Sequence, residues 1–246
     1  MPAVSDSWQF DEARWRKVIK QPDWYLKFLE FYKRGELSLR GEELDRFRYG
    51  CRQFFEEALQ KDEVNLAQEG PNLDEQRLLV DTIVIHHTSN KPGYRLTYMN
   101  AVHLLNIYAP YFANPTDKRE KSLKGKALWS GHFKTGNQVF WGYHWLMRMD
   151  STFEKLLEDS QIGWHAGNWE INRRSVGICL DNDYEKHDPS GDILQKLAVH
   201  IKKHYPNIES QNIIGHHEVR ADTICPGSNF LNNWKPRLLK YLDGEP

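Results

Sequence analysis

Aromatic and aliphatic residues recur at helical spacing through the first part of the chain. Trp24, Phe28, Phe31 and Tyr32 fall at i, i+4, i+7 and i+8, and Phe47, Cys51, Phe54, Phe55 and Ala58 repeat the stripe. That spacing gives each helix one apolar face, and the densely interleaved charges between these positions give it a solvated one. The stripes read as core packing rather than as a sugar-stacking surface. Pro22 suits a first helical turn. Residues 68–72 (QEGPN) read as a turn or linker. This places the boundary between a helical N-terminal extension, residues 1–70, and a second domain, residues 71–246.

Beyond that turn the pattern changes. Leu78-Leu79-Val80 and Ile83-Val84-Ile85 predict a central, β-branched strand. Residues 96–112 are helical and apolar nearly all round, which predicts a buried helix ended by Asn114-Pro115. Residues 116–137 are polar and read as a long solvated loop, with Lys118, Arg119, Lys121, Lys124 and Lys126 set against Asp117 and Glu120. Residues 139–147 and Ser175–Leu180 predict two further strands. An amphipathic helix over 192–205 is stopped by Pro206, Ile213-Ile214 forms a short strand, and a last helix covers 229–242. Strands alternating with helices make an α/β domain.

Composition narrows the function. Apolar residues at 39% and charged residues at 27% of the 246 are globular values. A net charge of -1 gives no global attraction to a polyanion, so nucleic acid is not an expected partner. Three cysteines cannot form a disulfide framework, and no apolar run approaches the length of a transmembrane helix. Met1 is followed by polar and acidic residues rather than an apolar h-region, which predicts a cytoplasmic protein, with release to the cell wall as the other route. Nothing in the pattern sets an oligomeric state. The 11 histidines are the unusual feature, because imidazole is both a common metal ligand and a proton shuttle near neutral pH.

Two His-His pairs lie at strand ends, His86-His87 after Ile83-Val84-Ile85 and His216-His217 after Ile213-Ile214-Gly215. Alternation along a strand sends His86 and His87 to opposite faces, so one of them enters a given site. Cys225 follows shortly after, with Pro226-Gly227 turning the chain. Two imidazoles and a thiolate make a three-ligand zinc site with an open fourth position. Singly, a buried His is most often a hydrogen-bonded core residue and a Cys a small buried hydrophobe; the combination points to a metal. There is no G-x-S-x-G elbow, P-loop or C-x-x-C pair, and Ala221 stands where H-E-x-x-H would need its second His.

Four blocks carry a family resemblance: residues 83–89 (IVIHHTS), 141–145 (WGYHW), 164–167 (WHAG) followed by Ser175–Leu180 (SVGICL), and 215–219 (GHHEV) with 223–227 (TICPG). In that order they resemble the zinc-dependent N-acetylmuramoyl-L-alanine amidases of the phage-lysozyme, bacterial-amidase and peptidoglycan-recognition-protein superfamily. The resemblance implies a mixed central β-sheet flanked by helices, here with an N-terminal helical extension. It also implies a zinc hydrolase acting on the amide between N-acetylmuramoyl and L-alanine in peptidoglycan or its fragments. His86, His216 and Cys225 fall at the zinc-ligand positions and Tyr143 at the catalytic tyrosine.

The same resemblance gives His165 and Thr223 catalytic positions and puts Trp141, Trp164 and Asn168 along the substrate groove. An amide carbonyl is a poor electrophile, which Zn2+ polarises while acidifying water. Tyr143 can position water or donate to the tetrahedral oxyanion. His165 can donate to that oxyanion or to the substrate amide, or hold its loop by hydrogen bonds. His87, His217 and His144 are expected to support or pack. Thr223 stands where some family members carry a lysine, so it offers a hydrogen bond but no charge. The rival reading is a peptidoglycan-binding recognition module without catalysis, against which the retained Cys225 argues. A further idea makes the N-terminal helices a partner-docking unit.

Overall fold

Apolar stripes on the helices and two-residue alternation on the strands account for most elements of the computed structural model, which describes residues 10–90, 92, 96–116, 118–185 and 187–244. Helices α1 (Glu12–Val18), α2 (Trp24–Ser38) and α3 (Gly41–Gln60) precede strand β1 (Thr82–His87). Helix α4 (Leu96–His103) runs through a π-helical turn, Leu104–Tyr108, into α5 (Ala109–Ala113). Strands β2 (His132–Lys134), β3 (Asn137–Val139), β4 (Trp145–Met147) and β5 (Phe153–Lys155) follow, then helix α6 (Trp169–Asn172) and strand β6 (Ser175–Leu180). Helix α7 (Gly191–His204), strand β7 (Ile213–Gly215), helix α8 (His216–Val219) and helix α9 (Lys235–Asp243) complete the order. No described helix is long and apolar enough to cross a membrane. The polar residues 1–9 and Asp117 lie outside the described residues.

The elements form two compact units, one from Met1–Asn72 with Arg95–Phe140 and the other from Leu73–Tyr94 with Trp141–Pro246. In the first, the aromatic stripes meet one another. Trp24, Phe28 and Phe55 are fully buried, with the Phe55 ring 4.8 Å from Trp24 and 4.6 Å from Phe28. The Tyr25 hydroxyl donates to the Lys126 carbonyl at 2.9 Å, and α3 packs on α4, so the later segment completes the same core.

Glu56 on α3 is buried in this unit, and one carboxylate oxygen has no hydrogen-bond partner. Burial pushes its carboxyl up to about 8. A folded pKa above the unfolded one means that folding takes up a proton. The stabilisation is therefore complete below about 4.5, the ordinary carboxyl value, and is lost as pH rises through about 8. Each pKa unit corresponds to about 1.4 kcal/mol, so the fall amounts to several kcal/mol. Glu56→Gln should flatten this slope in denaturant titrations between pH 5 and 8.5. An unchanged slope in the variant would assign it to another group.

In the second unit a five-stranded sheet has the order β5-β4-β6-β1-β7. β1 pairs in parallel with β6 and β7, and β6 in parallel with β4, while β5 is antiparallel to β4, so the sheet is mixed. Alternation divides its two faces. Ile83 and Ile85 of β1 and Val176, Ile178 and Leu180 of β6 join Leu194, Leu197 and Ile201 of α7 and Leu238 of α9 in one apolar core. Thr82, Val84 and His86 of β1, in register with Ser175, Gly177 and Cys179 of β6, take the opposite face.

Three elements differ from the sequence reading. Leu78-Leu79-Val80 is not strand: Leu79 is 89% exposed, and regular pairing begins only where Thr82 meets Ser175. The single strand expected over 139–147 is two, because Phe140 turns its amide to Asn100 Oδ1 and Gly142 interrupts the run before β4. The expected loop over 116–137 contains a 3-10 turn, Lys118–Leu123, and most of a hairpin. Thr135 and Gly136 both have positive φ, the two-residue turn that matches strand twist, and they join Lys134 to its partner Asn137.

Candidate active site

β1 delivers His86 to the sheet face opposite the helices, where it is fully buried. His87 goes the other way, and its Nδ1 accepts the Tyr184 amide at 2.9 Å. Burial lowers its pKa, so it stays a neutral structural group.

β7 ends at Gly215, whose amide donates to the Glu218 carboxylate at 2.7 Å, and Lys235 holds the same carboxylate at 2.9 Å. A Cβ on Gly215 would sit 2.8 Å from Phe230 and Pro226, so only glycine admits this packing. His216, next in the chain, opens α8. His217 reaches from α8 to the Cys225 loop: its backbone amide donates to the Cys225 carbonyl at 2.8 Å and its Nδ1 to the same oxygen at 3.0 Å. The two segments that carry His216 and Cys225 are thus tied through one carbonyl. Thr223 Oγ1 accepts the Cys225 amide at 3.2 Å, and the His87 amide bonds the Cys225 sulfur.

One ligand atom each of His86, His216 and Cys225 lies within 4.8 Å of the others, and Cys225 Sγ is 3.7 Å from His86 Nδ1. Two observations fit a metal ion. His216 Nε2 is buried without a hydrogen-bond partner, while the Ala166 backbone engages the ring, an arrangement that costs free energy unless something occupies the lone pair. Burial also lowers His216 to about 4, so the imidazole is neutral and able to ligate. Burial, with the Glu185 carboxylate adding to it, pushes the Cys225 thiol up to about 12, and a divalent cation beside Sγ acts in the opposite direction.

Around this trio, the Tyr143 ring is 4.8 Å from that of His86. Its hydroxyl hydrogen-bonds the buried Cys179, and burial raises its pKa well above the ordinary phenol value, so it keeps its proton as a donor. His165 is buried. Its Nδ1 meets His86 Nε2 at 3.0 Å and its Nε2 meets Ser175 Oγ at 3.3 Å. His144 accepts the Gly177 amide and bonds the Gln161 carbonyl, so both its nitrogens serve structure.

The three groove residues differ in exposure. Trp141 is buried and presents no open ring face, whereas Trp164 is partly exposed, with its ring 6.5 Å from Trp169. Asn168 is exposed and its side-chain oxygen caps α6 by accepting the Ile171 amide at 3.2 Å.

The sequence profile described as N-acetylmuramoyl-L-alanine amidase matches residues 76–228, more than half of the chain. The chain belongs to the N-acetylmuramoyl-L-alanine amidase family. It is an enzyme of cell-wall degradation, hydrolysing the amide that joins N-acetylmuramoyl to L-alanine in peptidoglycan. The amidase is 28% identical over 110 residues to the endolysin of Klebsiella phage KP32, covering 42% of this chain and 69% of that protein. It is 29% identical over 110 residues to the endolysin of Escherichia phage T7, with the same coverage. Among solved structures, it resembles the endolysin amidase LysCS from Clostridium intestinale URNW at 20% identity and a TM-score of 0.44, covering 74% of this chain and 94% of that one.

Three residues around the trio in the amidase receive no role from the sequence although they lie in the SVGICL block: Ser175, Gly177 and Cys179. They sit in an apolar strand, where only their two-residue spacing and small size mark them as the face turned toward His86.

Proposed function

We propose that the amidase is a zinc hydrolase in which His86, His216 and Cys225 hold the ion, with peptidoglycan or its fragments as substrate. The observation that carries this reading is the convergence of those three ligand atoms within 4.8 Å beside the partnerless His216 Nε2. Zinc in a three-ligand site with an open position supplies Lewis acidity toward an amide carbonyl and toward water.

The protein supplies the rest. Tyr143 keeps its phenolic proton and donates it in a hydrogen bond to the oxyanion that develops at the scissile carbonyl. Thr223 holds the Cys225 backbone and offers a neutral hydroxyl where a lysine would bring charge. Trp164, partly exposed, and Asn168, exposed, contact the glycopeptide, while Trp141 is buried and serves as a support rather than a contact. We assign catalysis to a domain over 71–246 and an accessory role to the extension 1–70, although 95–140 groups with residues 1–72 in one compact unit and the site residues fall in 73–94 and 141–246.

The purified chain should bind about one equivalent of zinc and release stem peptides from defined muropeptides, read by mass spectrometry, with activity abolished by a chelator and restored by Zn2+. Intact muropeptides with zinc fully loaded would overturn the hydrolase reading. Capture on insoluble cell wall without peptide release would favour the recognition-module reading.

A further inference from the structure

The buried histidine of the 164–167 segment has a task that the zinc reading leaves open. Residues of β6 on the site face form its seat. A Cβ added to Gly177 would stand 2.8 Å from His165 Cγ and 3.0 Å from its Nδ1, so the imidazole lies flat against a strand position that only glycine leaves open. Two residues earlier on the same face, Ser175 is fully buried with its Oγ 3.3 Å from His165 Nε2. On the other side, His165 Nδ1 is 3.0 Å from His86 Nε2. The remaining nitrogen of His86, Nδ1, is the one that faces Cys225 Sγ, at 3.7 Å.

We propose that His165 and Ser175 form a buried positioning relay that commits His86 to ligate through Nδ1. The inference rests on the zinc reading above and adds to it a direction for each proton. A ligating Nδ1 must present a lone pair, so the His86 proton resides on Nε2 and is donated to His165 Nδ1. His165, accepting there, carries its own proton on Nε2 and donates it to Ser175 Oγ. Once Nδ1 ligates, only one tautomer of each ring satisfies the other two contacts, so the ion and the relay select the same arrangement together. Both His165 nitrogens are occupied within the protein, so it acts through His86 rather than on the substrate. Outer partners of this kind fix a ligand's orientation and raise its basicity.

The test uses the full chain and three variants, with Zn2+ affinity measured by competition against a chromophoric chelator and the visible spectrum of the Co2+ form as a second readout. His165→Ala is expected to weaken Zn2+ binding roughly 10–100-fold and to alter the Co2+ bands. His165→Asn, whose side-chain oxygen can accept from His86 Nε2, is expected to recover most of that affinity. Ser175→Ala, which leaves His165 in place but removes the end of the relay, should weaken binding by a smaller factor. This variant remains informative even where the larger truncation fails to fold.

Wild-type Zn2+ affinity and an unchanged Co2+ spectrum in His165→Ala, or in Ser175→Ala together with an Asn variant no better than Ala, would overturn the relay. An unaltered chain that takes up no zinc would overturn the zinc reading and the relay with it. Full uptake by the parent and undiminished uptake by the variants would remove the relay alone.

Discussion

Cys225→Ser is expected to lose zinc and turnover together. The serine hydroxyl remains protonated where a thiolate would bind, and only two neutral imidazoles are left to hold a dication. Affinity should fall by roughly 100-fold or more, since loss of an outer partner alone already costs about 10–100-fold. Turnover at limiting zinc should fall in proportion. The protein should nevertheless fold, because Cys225 is only partly buried and its loop is held by backbone contacts to His217 that serine retains.

A thermodynamic readout separates this outcome from general damage. A ligand that binds only the native state at 100 times its Kd stabilises that state by about 2.7 kcal/mol. Zinc should therefore raise the melting temperature of the parent chain and leave that of Cys225→Ser nearly unmoved. Undiminished turnover in the variant would remove Cys225 from the site.

Tyr143→Phe should give the complementary pattern, with zinc retained and chemistry lost. The phenol does not belong to the ligand trio, and its ring contact with His86 survives the substitution. What disappears is a donor that burial keeps protonated at every pH the enzyme meets. Removing one such donor from an oxyanion site costs about 10²–10³ in kcat, or about 3–4 kcal/mol of transition-state stabilisation. The loss should appear in kcat with little change in KM, because a hydrogen bond formed only in the transition state leaves substrate binding untouched. Equal kcat in the two proteins would reduce Tyr143 to a packing residue. An equal loss of zinc would merge its role with that of the ligands.

The sequence made some layers of this molecule legible and hid others, for physical reasons. Alternation correctly sent His86 and His87 to opposite faces, because β1 is a regular central strand with a parallel neighbour on each side. Helix α7 was legible for the same kind of reason: its apolar stripe, Ile193, Leu197 and Ile201, packs into one core. The β2–β3 hairpin was hidden because its strands are three residues long and show no clean apolar-in, polar-out alternation, with Phe133 exposed and His132 and Gln138 buried. Its turn also uses Thr135-Gly136 rather than a strong turn pair. Ser175 and Gly177 were hidden because their significance depends on a histidine that arrives from a separate loop. The grouping of 95–140 with the N-terminal helices depends on contacts such as Tyr25 with Lys126, which no local pattern announces.

That discontinuous grouping has a consequence for synthesis on the ribosome. Helices α1–α3 leave the exit tunnel early, but the segment that closes their core follows only after β1 has emerged. β1 in turn waits with both edges unpaired until β6 and β7, its two parallel neighbours, have been translated. A nascent chain therefore carries an apolar, two-edged strand and an open aromatic cluster at the same time. Closing such distant contacts is slow and leaves intermediates prone to aggregation. A gene trimmed to begin near codon 71 would not relieve this: it would discard half of an aromatic core and leave α4 and α5 to face water with the other half.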